Sequence, residues 1–205
     1  MNSELIIDST PDEVQIALLE EKRLVEFSSE KKDNNFSVGD IYLGRIRKIM
    51  PGLNAAFVDI GYEKDAFLHY LDLGPQFLSL IKFMKSTSGS SQGDGLLTNF
   101  ELEKDIDKGG KISSALAANQ WLPVQIAKEP ISTKGPRISS DISLAGRYVV
   151  MVPFSNVVSV SQKIKSSEER NRLKRLAMSI KPKNFGLIIR TVAEGKKVAE
   201  IDKDI

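Results

Sequence analysis

The 205 residues, 41% of them hydrophobic and 27% charged, can bury a real core and by the usual domain sizes make one or two compact globular units. Lys and Arg total 29 against 27 Asp and Glu, so the formal charge is only +2 and the pI near 8.6 permits nucleic acid without demanding it; any basic surface must be local. With no cysteine and a single histidine, these residues exclude a disulfide framework, a thiolate metal site and a His-based zinc site.

The start, Met1-Asn2-Ser3-Glu4, lacks the basic segment and apolar run of a secretory signal, and no stretch approaches the ~18 apolar residues of a spanning helix, so a cytoplasmic protein is expected. Glu4 to Ser9 is a short apolar run, and Val14 to Glu20 and Arg23 to Ser28 read as strands turning at Glu21-Lys22. Glu30 to Asn35 is polar and reads as a connection, which puts a boundary near Phe36.

From Val38 the β signals lengthen. Ile41 to Ile49 alternates apolar and polar residues, Pro51-Gly52 turns, and Ala55 to Ile60 and Ala66 to His69 follow as strands. Three strands in quick succession predict a small barrel. Lys85 to Gly95 is Ser/Gly-rich, and the acidic stretch after it ends in Gly109-Gly110, so 74–119 reads as a long, partly mobile insertion without a core strand. Leu122 to Ile126 and Arg137 to Ile142 supply the last two of five strands.

Beyond them the pattern is mixed. Tyr148 to Val152 and Val157 to Ser161 read as strands. Ser166, with Glu169 three residues on, forms the capping-box signature of a helix whose apolar face is Leu173, Leu176, Ala177 and Ile180. Pro182 ends that helix, and Gly186 to Arg190 is a further short strand.

The most informative run is Asp40 to Ile46, then Asn54 to Gly61 and Lys64 to His69. Its G-x-I, A-F-V-D-I-G and F-L-H motifs resemble an S1 domain, which implies an OB-type barrel that binds single-stranded RNA. Such a surface offers aromatic faces for stacking, about 1–3 kcal/mol per base, beside cations for phosphates. Phe57 and Phe67 on adjacent strands fit that platform, with Lys64 and His69 at its edge; the competing reading makes both phenylalanines core, where Phe is commoner.

The longer pattern Y-x-G-x-I-x-x-I-x-P-x-L-x-A-A-F-V-D-x-G at Tyr42 to Gly61 is similar to the RNase E/G family in particular. The motifs at Val124 to Glu129, Lys134-Gly135, Ile142 to Val150 and Gly186 to Thr191 follow in the same family order. The resemblance implies an α+β, mostly β chain: residues 1–36 as the start of an RNase H-like subdomain, an S1 barrel inserted into it at 37–141, and a mixed α/β 5′-sensor region at 142–205. It implies single-stranded RNA as partner, with Lys128 and Lys134 along its path and Arg137 adding to that basic strip. It also implies a 5′-phosphate site at Arg190 and Thr191, closed through the backbone by Gly146 and Val150. A guanidinium fork beside a hydroxyl suits a phosphate, although without the resemblance Arg190 reads as an ordinary arginine at a strand end. One departure is Val160-Ser161-Gln162-Lys163, which carries a single cation where the family often has two consecutive arginines.

In that family hydrolysis uses paired aspartates holding magnesium, and a cysteine-bound zinc joins subunits. The expectation is that both lie beyond Ile205, that this chain holds neither metal nor cleavage residue, and that oligomers form only with the longer protein. Asp94, Glu101, Glu103, Asp105 and Asp107 lack calcium-loop spacing and read as solvated loop. Two competing functions remain: a stand-alone S1-type RNA-binding adaptor in translation or ribosome maturation, and a scaffold using 74–119 as a docking loop.

Overall fold

The computed structural model describes residues 3–31, 36–88, 96–131 and 133–205. Most of the connection expected before Phe36, and 89–95 of the Ser/Gly-rich stretch with Asp94, lie outside the described residues.

Strands β1 (Ser3–Ser9), β2 (Glu13–Glu20) and β3 (Arg23–Lys31) form an antiparallel sheet in chain order. Glu21 and Lys22, at φ 48° and 63°, both take the left-handed conformation that a two-residue hairpin turn requires. No described side chain of this sheet is buried, and Leu5, Ile6 and Phe27 stand exposed. This sheet occupies the place where the resemblance implies an RNase H-like start.

The barrel is closed in the order β4-β5-β6-β8-β7, as the alternation predicts. Its strands are β4 (Ile41–Met50), β5 (Ala55–Asp59), β6 (Ala66–His69), β7 (Trp121–Lys128) and β8 (Arg137–Ser139), with helices α1 (Phe77–Ser88) and α2 (Ile112–Ala115) between β6 and β7. Every second residue points inward: Ala56 and Val58 on β5, Ala66 and Leu68 on β6, and Leu122, Val124 and Ile126 on β7 are all buried in one cluster. Gly44 on β4 faces that core, where a Cβ would lie 2.6 Å from Val58 Cγ1. Asn54, left-handed at φ 48°, closes the Pro51-Gly52 turn, accepts from the Ile112 N–H at 2.7 Å and donates to the Gly110 carbonyl at 3.1 Å.

These bonds tie part of the 74–119 insertion, which carries no strand among its described residues, to the barrel. The first part of the insertion is helix α1, and Phe77, Ile112 and Leu116 belong to the barrel core.

The remaining elements are β9 (Leu144–Ala145), β10 (Val149–Pro153), β11 (Val158–Val160), α3 (Ser167–Ile180), β12 (Phe185–Ile189) and α4 (Val198–Asp202). The sheet order is β11-β12-β10-β9, with β11 and β12 parallel across the α3 connection. Leu173, Leu176 and Ala177 of α3 bury against Val149, Leu187 and Ile189, and Ile201 of α4 joins them. Ser166 caps α3 by accepting from the Glu169 N–H at 3.2 Å. The expected capping box is only half made, because the Glu169 carboxylate turns to a stronger partner, the Arg172 fork at 2.7 Å on each oxygen, and to the Gly195 N–H at 2.8 Å.

Helix α1 and the segment after it also meet this second sheet. Phe83, Phe100 and Phe154 form a ring triad with centroids 5.5–5.8 Å apart. Beside it the buried Asn184, at φ 64°, donates both amide hydrogens, to Leu97 O at 2.6 Å and Phe100 O at 2.7 Å. No described helix is long and apolar enough to cross a membrane.

Candidate functional site

The inward residues of β5 and β6 dictate where the phenylalanines go. With Ala56, Val58, Ala66 and Leu68 buried, Phe57, Phe67 and His69 must take the outer face. Phe57 and Phe67 stand directly across from one another in the β5–β6 ladder, half-buried, with ring centroids 5.9 Å apart in an edge-to-face arrangement. They lie outside the core cluster, so the reading of both as core fails.

The rings line a hollow of about 760 Å³ together with Lys64, Asp65, Thr133, Lys134, Gly135 and Arg137. Two aromatic faces and two of the expected lysines therefore converge from β5, β6 and the loop before β8. Gly135 lets that loop approach, since a Cβ there would sit 2.2 Å from the Asp65 carbonyl oxygen. Arg137 grips Asp72 with a bidentate fork at 2.9 Å, which raises its pKa further and offsets its charge toward any phosphate. His69 is on the same outer face, but its Nδ1 accepts from the Leu71 N–H at 3.2 Å and caps the turn after β6. Lys128 ends β7 opposite Arg137 in the ladder and is not part of this hollow.

Around the barrel, Trp121 is 51% exposed with the Arg45 guanidinium 6.0 Å from its ring. A lone tryptophan in a strand gave no reason to single it out. Asp59 is held below the usual carboxylate range by the Gly61 N–H and by Arg47, whose bond to it is 2.6 Å.

A second, polar hollow of about 560 Å³ lies at the end of β12, lined by Val25, Glu26, Ala145, Gly146, Arg147, Arg190 and Asp204. It brings together two of the four residues expected to hold a phosphate. Arg190 is exposed, and its Nη1 donates to the Gly146 carbonyl at 2.6 Å, which aims the guanidinium across the hollow. A guanidinium has five N–H donors, so this single side-chain bond leaves most of the fork for an anion. Thr191 follows it, with its hydroxyl 2.9 Å from that of Ser161, and Val150 lies between Ala145 and Ile188 in the sheet; neither lines the hollow. Arg147 and Asp204 were not foreseen, because each is an ordinary charge in a charged stretch and only the fold brings them to Arg190. Among the described residues no three His, Cys, Asp or Glu side chains stand close enough together to hold a metal ion.

Comparison with known proteins identifies the family. The family model described as the ribonuclease E/G family matches residues 143–205. Ribonuclease G of Escherichia coli is 37% identical over 204 residues, covering 100% of this chain and 38% of that protein. Ribonuclease G of Haemophilus influenzae is 39% identical over 201 residues, covering 98% and 37%. Ribonuclease E of Nostoc sp. is 38% identical over 199 residues, covering 93% and 25%. The chain thus spans well under half the length of these relatives, and over that span it belongs to the ribonuclease E/G family.

Proposed function

We propose that this chain grips single-stranded RNA on its barrel and tests the RNA 5′ end at Arg190, as part of an endoribonuclease of the RNase E/G type that works in the cytoplasm. The observation that carries the reading is the convergence of Phe57, Phe67, Lys64 and Lys134 on one hollow. Flat rings accept bases of any identity, and ammonium groups at their edge take the phosphates between them. The relatives named Ribonuclease G and Ribonuclease E support RNA as the substrate class.

In this reading residues 1–36, 37–141 and 142–205 act as an RNase H-like start, an RNA-binding barrel and a 5′-sensor. Arg190 supplies the fork for a terminal monophosphate beside Gly146; Thr191 and Val150, which the resemblance adds to the cage, stand behind the hollow rather than in its wall, and Lys128 extends the basic path. Cleavage, and the magnesium and zinc that the resemblance implies, are assigned to residues outside this chain, which by itself binds without cutting.

Competition binding with a labelled single-stranded RNA tests both parts. A 5′-monophosphorylated competitor should displace the label at lower concentration than its 5′-hydroxyl twin, and Arg190→Ala should erase the difference. Equal affinity for the two RNAs in the unmutated chain removes the sensing role, and failure to bind either removes the RNA-binding role.

A further inference from the structure

Asp204 reaches the Arg190 hollow from a distant part of the sequence. Helix α4 is anchored by the fully buried Ile201, and the Asp204 N–H donates to the Ile201 carbonyl at 3.1 Å, which turns the Asp204 carboxylate back toward the loop before β10. There it accepts three successive backbone N–H groups: Arg147 at 2.9 Å on Oδ1, and Tyr148 at 2.6 Å and Val149 at 2.9 Å on Oδ2. Successive N–H groups pointing one way form an anion-binding concavity, and here the anion is the protein's own. Gly146 lies against this carboxylate, where a Cβ would be 2.5 Å from Asp204 Oδ2, so a side chain at 146 would push it out.

The loop so braced is the one that holds Arg190. The Arg190 N–H donates to Tyr148 O at 2.8 Å, and its guanidinium donates to Gly146 O at 2.6 Å. Both bonds that Arg190 donates here, from backbone and from side chain, therefore end on residues that Asp204 pins or abuts. A carboxylate suits the task because it only accepts, with lone pairs enough for three donors, whereas an amide would turn an NH₂ toward them.

We infer that Asp204 is a positioning residue for terminal-phosphate recognition: it fills the three-N–H concavity permanently, so that the phosphate is left to Arg190, and it holds the loop that orients the guanidinium. This rests on the 5′-end reading above.

The test uses the chain with Asp204→Asn and Asp204→Ala, each titrated with the same RNA bearing a 5′-monophosphate or a 5′-hydroxyl. The preference for the phosphate should fall by about five- to tenfold, the size expected when a charge-assisted contact is loosened, while affinity for the 5′-hydroxyl RNA stays unchanged. General destabilisation would move both affinities together. An unchanged preference in either folded variant overturns the inference and leaves the 5′-end reading intact; no preference in the unmutated chain defeats that reading and the inference with it. Should neither variant fold, amide exchange on the unmutated chain decides. The Arg147, Tyr148 and Val149 amides should stay protected and the Asp204 carboxyl carbon should keep its chemical shift when the phosphorylated RNA binds, and a shift of that carbon, meaning that phosphate displaces the carboxylate from the three N–H groups, overturns it.

Discussion

Truncating Phe57 and Phe67 separates a platform from a core. Each ring is half-buried, outside the barrel cluster, and in contact with the other at 5.9 Å between centroids. Phe57→Ala should forfeit a partial burial and one edge-to-face contact, together about 1–2 kcal/mol of stability, against about 3–5 kcal/mol for a buried phenylalanine. If each ring stacks a base, the same change weakens RNA binding by about 1–3 kcal/mol, or about 5-fold to 150-fold. Phe67→Ala should behave alike, and the double variant should lose less than the sum because each ring steadies the other. Urea denaturation gives the first quantity, and fluorescence anisotropy with a single-stranded oligoribonucleotide gives the second. A stability loss in the buried range with RNA affinity untouched refutes the reasoning.

Other consequences are independent of that pair. Asn184→Ala removes two amide bonds to Leu97 and Phe100 and puts a Cβ-bearing residue of poor left-handed propensity at φ 64°; it should cost about 2–4 kcal/mol in urea melts, with Asn184→Gly recovering only the backbone part. Glu169 is held down at about 2 by the Arg172 fork and the Gly195 N–H. Because its folded value is depressed, its contribution is complete above about pH 4.5 and is lost as pH falls toward 2. Glu169→Gln should therefore lower stability by about 1–2 kcal/mol at neutral pH and flatten the acid arm of the stability profile; superimposable acid arms contradict this. The double change Lys64→Ala, Lys134→Ala should reduce the salt slope of RNA binding by about 1.4, two single-strand phosphates at about 0.7 each, and an unchanged slope places the phosphates elsewhere.

The barrel was legible because its strands alternate strictly. Ala56, Phe57 and Val58 declare one face inward and the other outward, and a single residue of slippage would bury the wrong set. Helix α3 was legible from Leu173, Leu176 and Ala177 at helical spacing. Helix α1 was not, because Phe77-Leu78-Ser79-Leu80-Ile81 runs apolar almost all round and leads into a Ser/Gly-rich stretch that reads as loop. Two-residue β9 carries too little pattern to detect. Arg137 to Ile142 was read too long because the ladder ends at Ser139: Ser140 turns to bind Asp72 and Leu73, and the Asp141 N–H donates to the Ser139 hydroxyl. At the site, the outward phenylalanines followed from alternation and the lysines from resemblance. Asp204 followed from neither: its contacts span 55 to 57 residues, and nothing local marks a carboxylate that caps a distant loop.

The most direct measurement is amide and side-chain chemical-shift mapping of this chain with a short 5′-monophosphorylated single-stranded RNA and with its 5′-hydroxyl twin. Both RNAs should shift Phe57, Phe67, Lys64 and Lys134, and only the phosphorylated one should shift Arg190 and Gly146. Shifts that spare the phenylalanine face, or that are identical at Arg190 for the two RNAs, contradict the account.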